Sequence, residues 1–319
     1  MKLTIAVVAI VVMTMLVMHR TPAANSGLVP QLLATVGNPE ISEMSGMVRS
    51  KRRDNLFWVH NDSGDSPRIF ALDAQGLNII PTFSRFSFHG EEPEEGKSLW
   101  QGFPVMFAEA EDWEDIAADE QYLYIADVGN NGNSRKDLAI YAVSEIDPTA
   151  STRSAVIQKY PVFYPEQESF PPENWHYDSE SIFTWQGNVY LITKHREGRG
   201  NVWQPGANLY RLDSRFTEQP NALALIDHNP LVTAATGADV SPDGTMLAVI
   251  SYSALWIFNA PQQGDSWLSS PATSYALNTD ILRQAEAVAW MDDNTLLVTN
   301  EQGDIFRILL NNDLGLIHP

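Results

Sequence analysis

Residues 114–131 read EDIAADEQYLYIADVGNN, and this stretch decides the fold. It holds an acidic start, a short apolar segment, a polar turn, and a second, strongly apolar segment, Tyr122 to Ala126, which ends in polar residues. Short segments rich in aromatic and β-branched residues, bounded by turn formers, are typical of β-hairpins. The stretch therefore predicts two antiparallel strands, with the polar start of the first beside the polar end of the second.

The same unit recurs along the chain. In each copy a short apolar strand follows a small or acidic residue, a polar turn comes next, and a more apolar strand ends in polar side chains. The five copies begin at Ser45, Glu114, Glu180, Gly237 and Glu286. These starts are about 50 to 70 residues apart, near the length of a β-propeller blade, and after residue 30 no segment has a long helical period.

The repeat predicts an all-β chain that folds as a single β-propeller over residues 27–319, with five blades favoured. The segment from Leu28 to Val36 is expected to supply the fourth strand of the last blade. A ring closed by strands from both termini has no exposed sheet edge. Six blades are the alternative, with a degenerate blade in residues 77–112, where the acidic run from Glu91 to Glu95 is interpreted as an exposed insertion loop.

The first 26 residues have the pattern of an export signal. Lys2 precedes an apolar run from Leu3 to Met18, and small residues follow around Ala24. The pair His19 and Arg20 directly after the run is unusual for a cleaved signal, so an uncleaved anchor is the alternative. The sequence therefore predicts a periplasmic or extracellular protein, or one anchored in the inner membrane and facing outward. Contact with a membrane is expected only through this segment.

The composition excludes several classes of function. There are 40 acidic and 20 basic residues, which gives a formal net charge of −20. A nucleic-acid partner is not expected, because phosphate binding needs a basic face. With no cysteine, disulfides, thiolate metal sites and cysteine nucleophiles are excluded. The acidic balance suits solubility and equally suits cation binding.

The topology of a blade brings the polar ends together at one mouth of the channel. Glu114, Glu180 and Glu286 begin inner strands there and are candidate metal ligands; Asp239 is a further candidate, although it lies two positions later in its unit. Oxygen ligands suit Ca²⁺, or Mg²⁺ if waters complete the shell. The alternative is a water-filled channel in which these carboxylates accept hydrogen bonds from strand-end amides. Nothing in the sequence indicates an organic cofactor.

Other polar and aromatic residues are expected at the same mouth. His60 and His195 are candidate bases for a catalytic role, with a structural role as the alternative. The candidate ligand-binding residues are Asn61, Asp62, Trp113, Asp127, Asn130, Asn131, Lys194, Tyr252 and Glu301.

Five segments resemble an uncharacterised family of exported bacterial β-propeller proteins. They are His60 to Gly64, Asp112 to Ala117, Asp127 to Asn131, Tyr177 to Ser181 and Thr236 to Gly244. More distantly the chain is similar to the propeller phytases and the gluconolactonase-like propellers, and this resemblance implies a metal on the channel axis. The sequence departs from both, because it lacks a full phytase ligand set and a basic cluster for phosphate.

Two functions follow from these observations. The first is a binding or scaffold propeller that presents its mouth to a small molecule, a glycan or a protein. The second is a metal-dependent hydrolase of a phosphoester or a lactone, in which the glutamates hold the cation and His60 or His195 handles protons. Because units one and four carry Ser45 and Gly237 at the glutamate position, a ligand is expected off the axis, toward Glu114 and Glu180.

Overall fold

The structure is a computed structural model that describes residues 28–83, 86–87, 98–198 and 202–310. The predicted export segment 1–26 and the predicted insertion loop 91–95 lie outside the described residues. Within the described part of the chain, no helix is long and apolar enough to cross a membrane.

The described chain is nearly all-β, which confirms the predicted class. In chain order the strands are β1 (Gln31–Thr35), β2 (Met44–Arg49), β3 (Phe57–Asn61), β4 (Arg68–Leu72), β5 (Phe86–Ser87), β6 (Ser98–Leu99), β7 (Phe103–Met106), β8 (Trp113–Ala118), β9 (Tyr122–Asp127), β10 (Ala139–Ser144), β11 (Ser154–Phe163), β12 (Trp175–Trp185), β13 (Asn188–Arg196), β14 (Trp203–Gln204), β15 (Ala207–Leu212), β16 (Asn221–Asn229), β17 (Ala235–Val240), β18 (Met246–Ser251), β19 (Ala254–Asn259), β20 (Ala272–Ala276), β21 (Ala285–Asp292), β22 (Thr295–Asn300) and β23 (Asp304–Leu309). A 3₁₀ turn, Trp267–Ser269, and a short helix α1, Thr279–Leu282, complete the regular structure of these residues.

Antiparallel pairing arranges most of these strands in groups of four. Among the described residues the groups are β2-β3-β4-β7, β8-β9-β10-β11, β12-β13-β15-β16, β17-β18-β19-β20 and β21-β22-β23-β1. The first strand of each group contacts the first strands of two other groups, in the order β2, β8, β12, β17, β21 and back to β2. These five strands therefore line the middle of the molecule.

Apolar clusters fill the spaces between neighbouring groups. Tyr124 and Tyr210 pack between the second and third groups, Phe183 and Trp267 between the third and fourth, and Trp290 beside the fifth. Full burial of one large apolar side chain contributes roughly 1.5 to 3 kcal/mol. The strands carry these aromatics because a pleated, half-buried surface favours large and β-branched side chains.

A β-bulge recurs at the same place in all five groups. In every pairing of a first strand with its second strand, the register skips one residue near the start. The skipped residues are Ser45, Glu114, Glu180, Thr236 and Glu286. The fourth unit therefore aligns on Thr236, one residue before Gly237. Gly237 has a different role, since a Cβ there would lie 2.9 Å from the Glu286 carbonyl oxygen of the adjacent strand.

Candidate functional site at the acidic mouth

The repeated bulge sets which side chains leave the strand ladder at this end of the molecule. A bulge leaves one residue unpaired and can re-aim its side chain. In β2 and β17 that residue carries a hydroxyl, and each hydroxyl donates to the next inner strand: Ser45 Oγ to the Glu114 carbonyl at 2.6 Å and Thr236 Oγ1 to the Ala285 carbonyl at 2.8 Å. In the other three groups the bulged residue is a buried glutamate.

Glu114 belongs to a compact group of three carboxylates. One carboxylate oxygen each of Asp62, Asp112 and Glu114 lies within 4.8 Å of the other two. Asp62 follows β3 and Asp112 precedes β8, so the loops of two groups bring these side chains to Glu114. Burial raises the pKa of Glu114 well above its usual range, and the charges of Asp178, Asp112 and Asp62 add to that effect. Burial, with the charges of Asp62 and Asp178, raises the pKa of Asp112 to about 6.

Gly129 is the residue that leaves room for this group. A Cβ at Gly129 would overlap Glu114 Oε1 and the carboxyl group of Asp112. The backbone holds the same arrangement, since the Gly129 amide donates to the Asp112 carbonyl at 3.2 Å. Asp127 stabilises the backbone at Asp112. The Asp127 Oδ1 atom accepts a hydrogen bond from the Asp112 amide at 3.1 Å and forms an ion pair with Arg135 at 2.9 Å. The structure therefore uses Asp127 to position the Asp112 loop.

Glu180 has an internal counter-ion. It forms an ion pair with Lys194, whose side chain is completely buried, and Lys194 Nζ is also 3.6 Å from Asp178 Oδ2. Trp203 covers this cluster, with its ring centroid 5.0 Å from Lys194 Nζ and 4.1 Å from the Arg196 guanidinium. Glu180 and Lys194, both predicted at the mouth, therefore neutralise each other.

Glu286 and Glu301 are joined through one amide. Gln284 Nε2 donates to Glu286 Oε1 at 2.7 Å and also to Glu301 Oε1. Burial raises the pKa of Glu286 to about 8, with the charges of Glu301 and Asp62 acting in the same direction. Burial and the charges of Glu286, Glu114 and Glu301 raise the pKa of Tyr252, which places its phenol beside these carboxyls.

Both predicted bases are buried, neutral histidines. His60 packs edge-on against Trp113 with ring centroids 5.6 Å apart, and its Nδ1 is 2.8 Å from the Asn61 carbonyl oxygen. Burial lowers the pKa of His60. His195 stacks on His176 at 3.8 Å, and burial lowers its pKa to about 3. The structure gives both rings packing partners, and Trp113 is buried with His60 instead of facing the mouth.

The predicted asparagines hold loops. Asn61 Nδ2 donates to the Glu40 carbonyl at 2.8 Å and to Asp65 at 2.7 Å. Asn130 Oδ1 accepts from the Ser134 and Arg135 amides, at 2.8 Å and 2.9 Å. Asn131 accepts a hydrogen bond from Arg196.

Asp239 also has protein partners for both of its oxygens. They accept from the Val240 amide at 2.9 Å and from the Trp290 amide at 2.9 Å. Burial raises the pKa of Asp239, and the charges of Lys51 and Arg49 lower it. Arg49 ends strand β2 and Lys51 follows it, so both lie at the end of β2 away from its bulged residue Ser45. Asp239 therefore ties two inner strands together and is not a member of the three-carboxylate group.

Sequence reasoning missed Asp112, Asp178, Gly129 and Gln284. A signal was available for the two aspartates, because an acid stands two positions before the bulged glutamate in both units, in Asp112-Trp113-Glu114 and Asp178-Ser179-Glu180. Gln284 stands at the same place in its unit, two positions before Glu286, with an amide instead of an acid. Gly129 had no such signal, since its importance depends on contacts with another segment.

Comparison with known proteins gives fold-level likenesses. No protein-family model matches the sequence, and no curated protein matches it either. The glutaminyl cyclase of Myxococcus xanthus aligns with 88% of this chain and 96% of its own, at 11% identity and a TM-score of 0.45. The PQQ-bound aldose sugar dehydrogenase of Streptomyces coelicolor aligns with 91% of this chain and 99% of its own, at 11% identity and a TM-score of 0.43. The PQQ domain of pyranose dehydrogenase from Coprinopsis cinerea aligns with 90% of this chain and 99% of its own, at 12% identity and a TM-score of 0.43. The resemblance to exported bacterial propellers stays a prediction.

Proposed function

We propose that this chain is a five-bladed β-propeller that binds a divalent cation, Ca²⁺ in preference to Mg²⁺, with Asp62, Asp112 and Glu114 as ligands. The observation that carries the proposal is the close approach of these three carboxylates at the mouth. Support for five blades comes from the five strand groups, the closed order of contacts among their first strands, and the pairing of β1 with β23.

The spacing of the oxygens allows one cation to contact all three carboxylates. Ca²⁺ binds oxygen ligands at about 2.3 to 2.6 Å, so two of its ligands are up to about 5 Å apart, and it accepts irregular oxygen geometry more readily than Mg²⁺ does. The three oxygens lie within 4.8 Å of one another. Other protein oxygens or waters would complete the shell.

The charges at the mouth also favour a bound cation. Lys194 is paired with Glu180 and Asp178, and Arg135 is paired with Asp127. Asp62, Asp112 and Glu114 form no comparable ion pair among the described residues. Burial raises the pKa values of Asp112 and Glu114, although the charge of Lys194 lowers that of Glu114. A divalent ion would offset the repulsion among the carboxylates and would compete with protons at Asp112 and Glu114.

We propose ligand binding outside the cytoplasm as the role of this cation site. The N-terminal signal pattern supports export, and a weak calcium site, with Kd of about 10⁻⁴ to 10⁻³ M, is typical of extracellular modules. The partner would be a small molecule, a glycan or a protein that completes the shell of the ion.

Hydrolysis of a phosphoester or a lactone is a second proposal, and Glu286 supports it. A carboxyl whose pKa is raised to about 8 keeps its proton at neutral pH and can act as a general acid. Glu286 would then protonate the leaving group while the cation polarises the substrate.

The primary test is cation binding by calorimetry and thermal melting. We expect Ca²⁺ to raise the melting temperature, with about 2.7 kcal/mol of stabilisation at a hundredfold excess over Kd. Asp112→Asn should weaken Ca²⁺ binding at least about tenfold. The matched control is Asp137→Asn, since Asp137 is an exposed partner of Arg135 outside the group. The proposal is wrong if the wild type does not bind Ca²⁺, or if Asp112→Asn binds Ca²⁺ with the same affinity as the wild type.

A substrate screen tests the second proposal separately. Purified protein with Ca²⁺ is assayed against aryl phosphoesters and aldonolactones. Turnover that Glu286→Gln removes, while Ca²⁺ affinity is kept, would support hydrolysis; no turnover leaves binding as the function and rejects hydrolysis of these esters.

A further inference from the structure

A small cavity opens beside the Glu286 and Glu301 pair. Its volume is about 380 Å³, and Tyr252, Thr279, Arg283 and Gln284 line it. Ligand sites range from about 300 to 1,000 Å³, so this one is of a size for a small metabolite. It uses none of the three carboxylates proposed to hold the cation.

The cavity has negative charge on one side. Gln284 is both a wall of the cavity and the donor that joins Glu286 to Glu301. Glu301 is partly exposed, and its amide donates to the Gln284 carbonyl at 3.4 Å, so its carboxyl lies next to this wall. Glu286 is buried and Glu301 is partly exposed, so Glu301 is the carboxyl of this pair that a ligand in the cavity can reach.

The cavity also has a positive charge in its wall, Arg283. Arg283 contacts Asp304 at 3.6 Å, and its side chain is 56% exposed. The other cations of the mouth are much less accessible: the Lys194 side chain is 0% exposed, Arg196 13% and Arg135 18%. Arg283 therefore presents a guanidinium that a ligand can reach.

The backbone at Arg283 supports a role for its side chain. Arg283 follows helix α1 with φ 55° and ψ −127°, a conformation that side chains rarely adopt and that glycine adopts easily. Residues held in such conformations cluster at ligand sites. Arg283 caps helix α1 by donating its amide to the Thr279 carbonyl, and it is therefore an arginine at a glycine-type position that also lines the cavity.

We propose that this cavity binds a zwitterionic amino acid. Arg283 pairs with the ligand carboxylate through two parallel N–H donors, and the carboxyl pair of Glu301 and Glu286 accepts from the protonated amine. The Tyr252 ring, 6.0 Å from Trp203, gives an apolar face for the ligand side chain. The mouth, with its excess of carboxylates, attracts the amine, and Arg283 selects those amines that also carry a carboxylate.

The test is calorimetric titration of the full chain with leucine, phenylalanine, glutamine and lysine. We expect at least one free amino acid to bind with Kd below about 1 mM. The N-acetyl and the amide derivatives of that ligand should each bind at least about tenfold more weakly, because each lacks one charge. If none of the four amino acids binds, or if the derivatives bind as tightly as the parent, the proposal is overturned. Binding of a hexuronate through Arg283, without binding of any amino acid, would also overturn it.

Two variants locate the charges. Arg283→Gly should remove the preference for the free amino acid over its amide without lowering the melting temperature, because glycine suits this backbone. Glu301→Gln should remove the preference over the N-acetyl derivative. Arg153→Gln, an exposed arginine in the turn between β10 and β11, is the matched control and should leave binding unchanged. Unchanged ligand preference in Arg283→Gly would contradict the assignment.

Titrations with Ca²⁺ and with EDTA separate this site from the cation site. We expect amino-acid binding in both, since none of its contacts involves Asp62, Asp112 or Glu114. Loss of amino-acid binding in EDTA would overturn the contacts assigned to Arg283 and Glu301, whereas loss of Ca²⁺ binding alone would reject only the cation site.

Discussion

At the residue scale, three glutamates in equivalent bulges have three different surroundings. Glu180 has a buried lysine, Glu286 holds a proton and shares an amide with Glu301, and Glu114 is placed with two aspartates. The difference comes in part from the second strand of each group. One residue past the register position that precedes the bulge, that strand has Val128, Lys194 or Glu301, and of these only Lys194 is a counter-ion. Identical backbone positions therefore produce sites of different chemistry.

Lys194 provides the first prediction. Lys194→Met should destabilise the protein by about 3 to 5 kcal/mol, because it leaves Glu180 and Asp178 buried without a counter-ion. Urea denaturation at neutral pH measures the loss. Lys159→Met is the control: Lys159 pairs with exposed Glu109, so its loss should cost about 1 kcal/mol or less.

A second substitution shows whether charge is the cause. Adding Glu180→Gln to Lys194→Met removes one unpaired carboxylate and should recover part of the lost stability. A double variant less stable than Lys194→Met alone would mean that packing around Trp203, and not the ion pair, is the source of the effect.

At the element scale, strand content was predictable and strand register was not. The hairpin from Glu114 to Asp127 follows from its alternating apolar segments and turn residues, and strands β8 and β9 lie there. The bulge at Glu114 depends on which partner each backbone group finds in the next strand, which no single segment encodes. For the same reason Gly237 was aligned in place of Thr236.

The site was predictable to the extent that it depends on strand ends. The glutamates were placed at one mouth because topology brings strand starts and ends together. Asp239 and Asn61 were also placed there, but their polar atoms are used by amides and carbonyls of neighbouring segments. Whether a polar side chain serves a loop or a ligand depends on contacts distant in sequence, so the sequence alone does not separate the two roles.

Strand β1 provides a prediction at this scale. It pairs with β23 from Gln31 opposite Arg307 to Thr35 opposite Asp304, and the Thr35 hydroxyl donates to Asp304 at 2.7 Å. A chain that starts at residue 37 should melt several degrees below one that starts at residue 28, because β23 keeps β22 but loses β1 from its outer edge. The exposed edge should also cause self-association, seen by size-exclusion chromatography. Equal melting and a monomeric elution of both chains would contradict a ring held closed by β1.

At the scale of the whole molecule, part of the acidic charge lies buried on the inner strands. Burial raises the pKa values of Glu114, Asp115 and Glu286, so ionising these carboxyls costs more in the folded protein than in the unfolded chain. Through these groups the free energy of unfolding falls as pH rises. In a protein whose carboxylates are all in ion pairs it rises with pH instead.

The last prediction concerns this pH dependence. The pKa of Glu286 is raised from an ordinary 4.5 to about 8, so its stabilisation is complete below pH 4.5 and is lost as pH rises through 8. In EDTA, the free energy of unfolding should fall by about 1.4 kcal/mol from pH 7 to pH 9 through this group. Below pH 6.5 the neutral His60 and His195 act in the opposite direction, so the window starts at pH 7.

Urea denaturation at pH 7, 8 and 9 checks this dependence. Glu286→Gln should flatten the profile, since it cannot ionise, whereas Glu173→Gln makes the same charge change at an exposed position and should keep the wild-type slope. Ca²⁺ should oppose the fall, because the ion competes with protons at Asp112 and Glu114 and binds better as pH rises. A wild-type slope in Glu286→Gln would mean that this carboxyl is ionised at neutral pH, and would remove its role as a general acid.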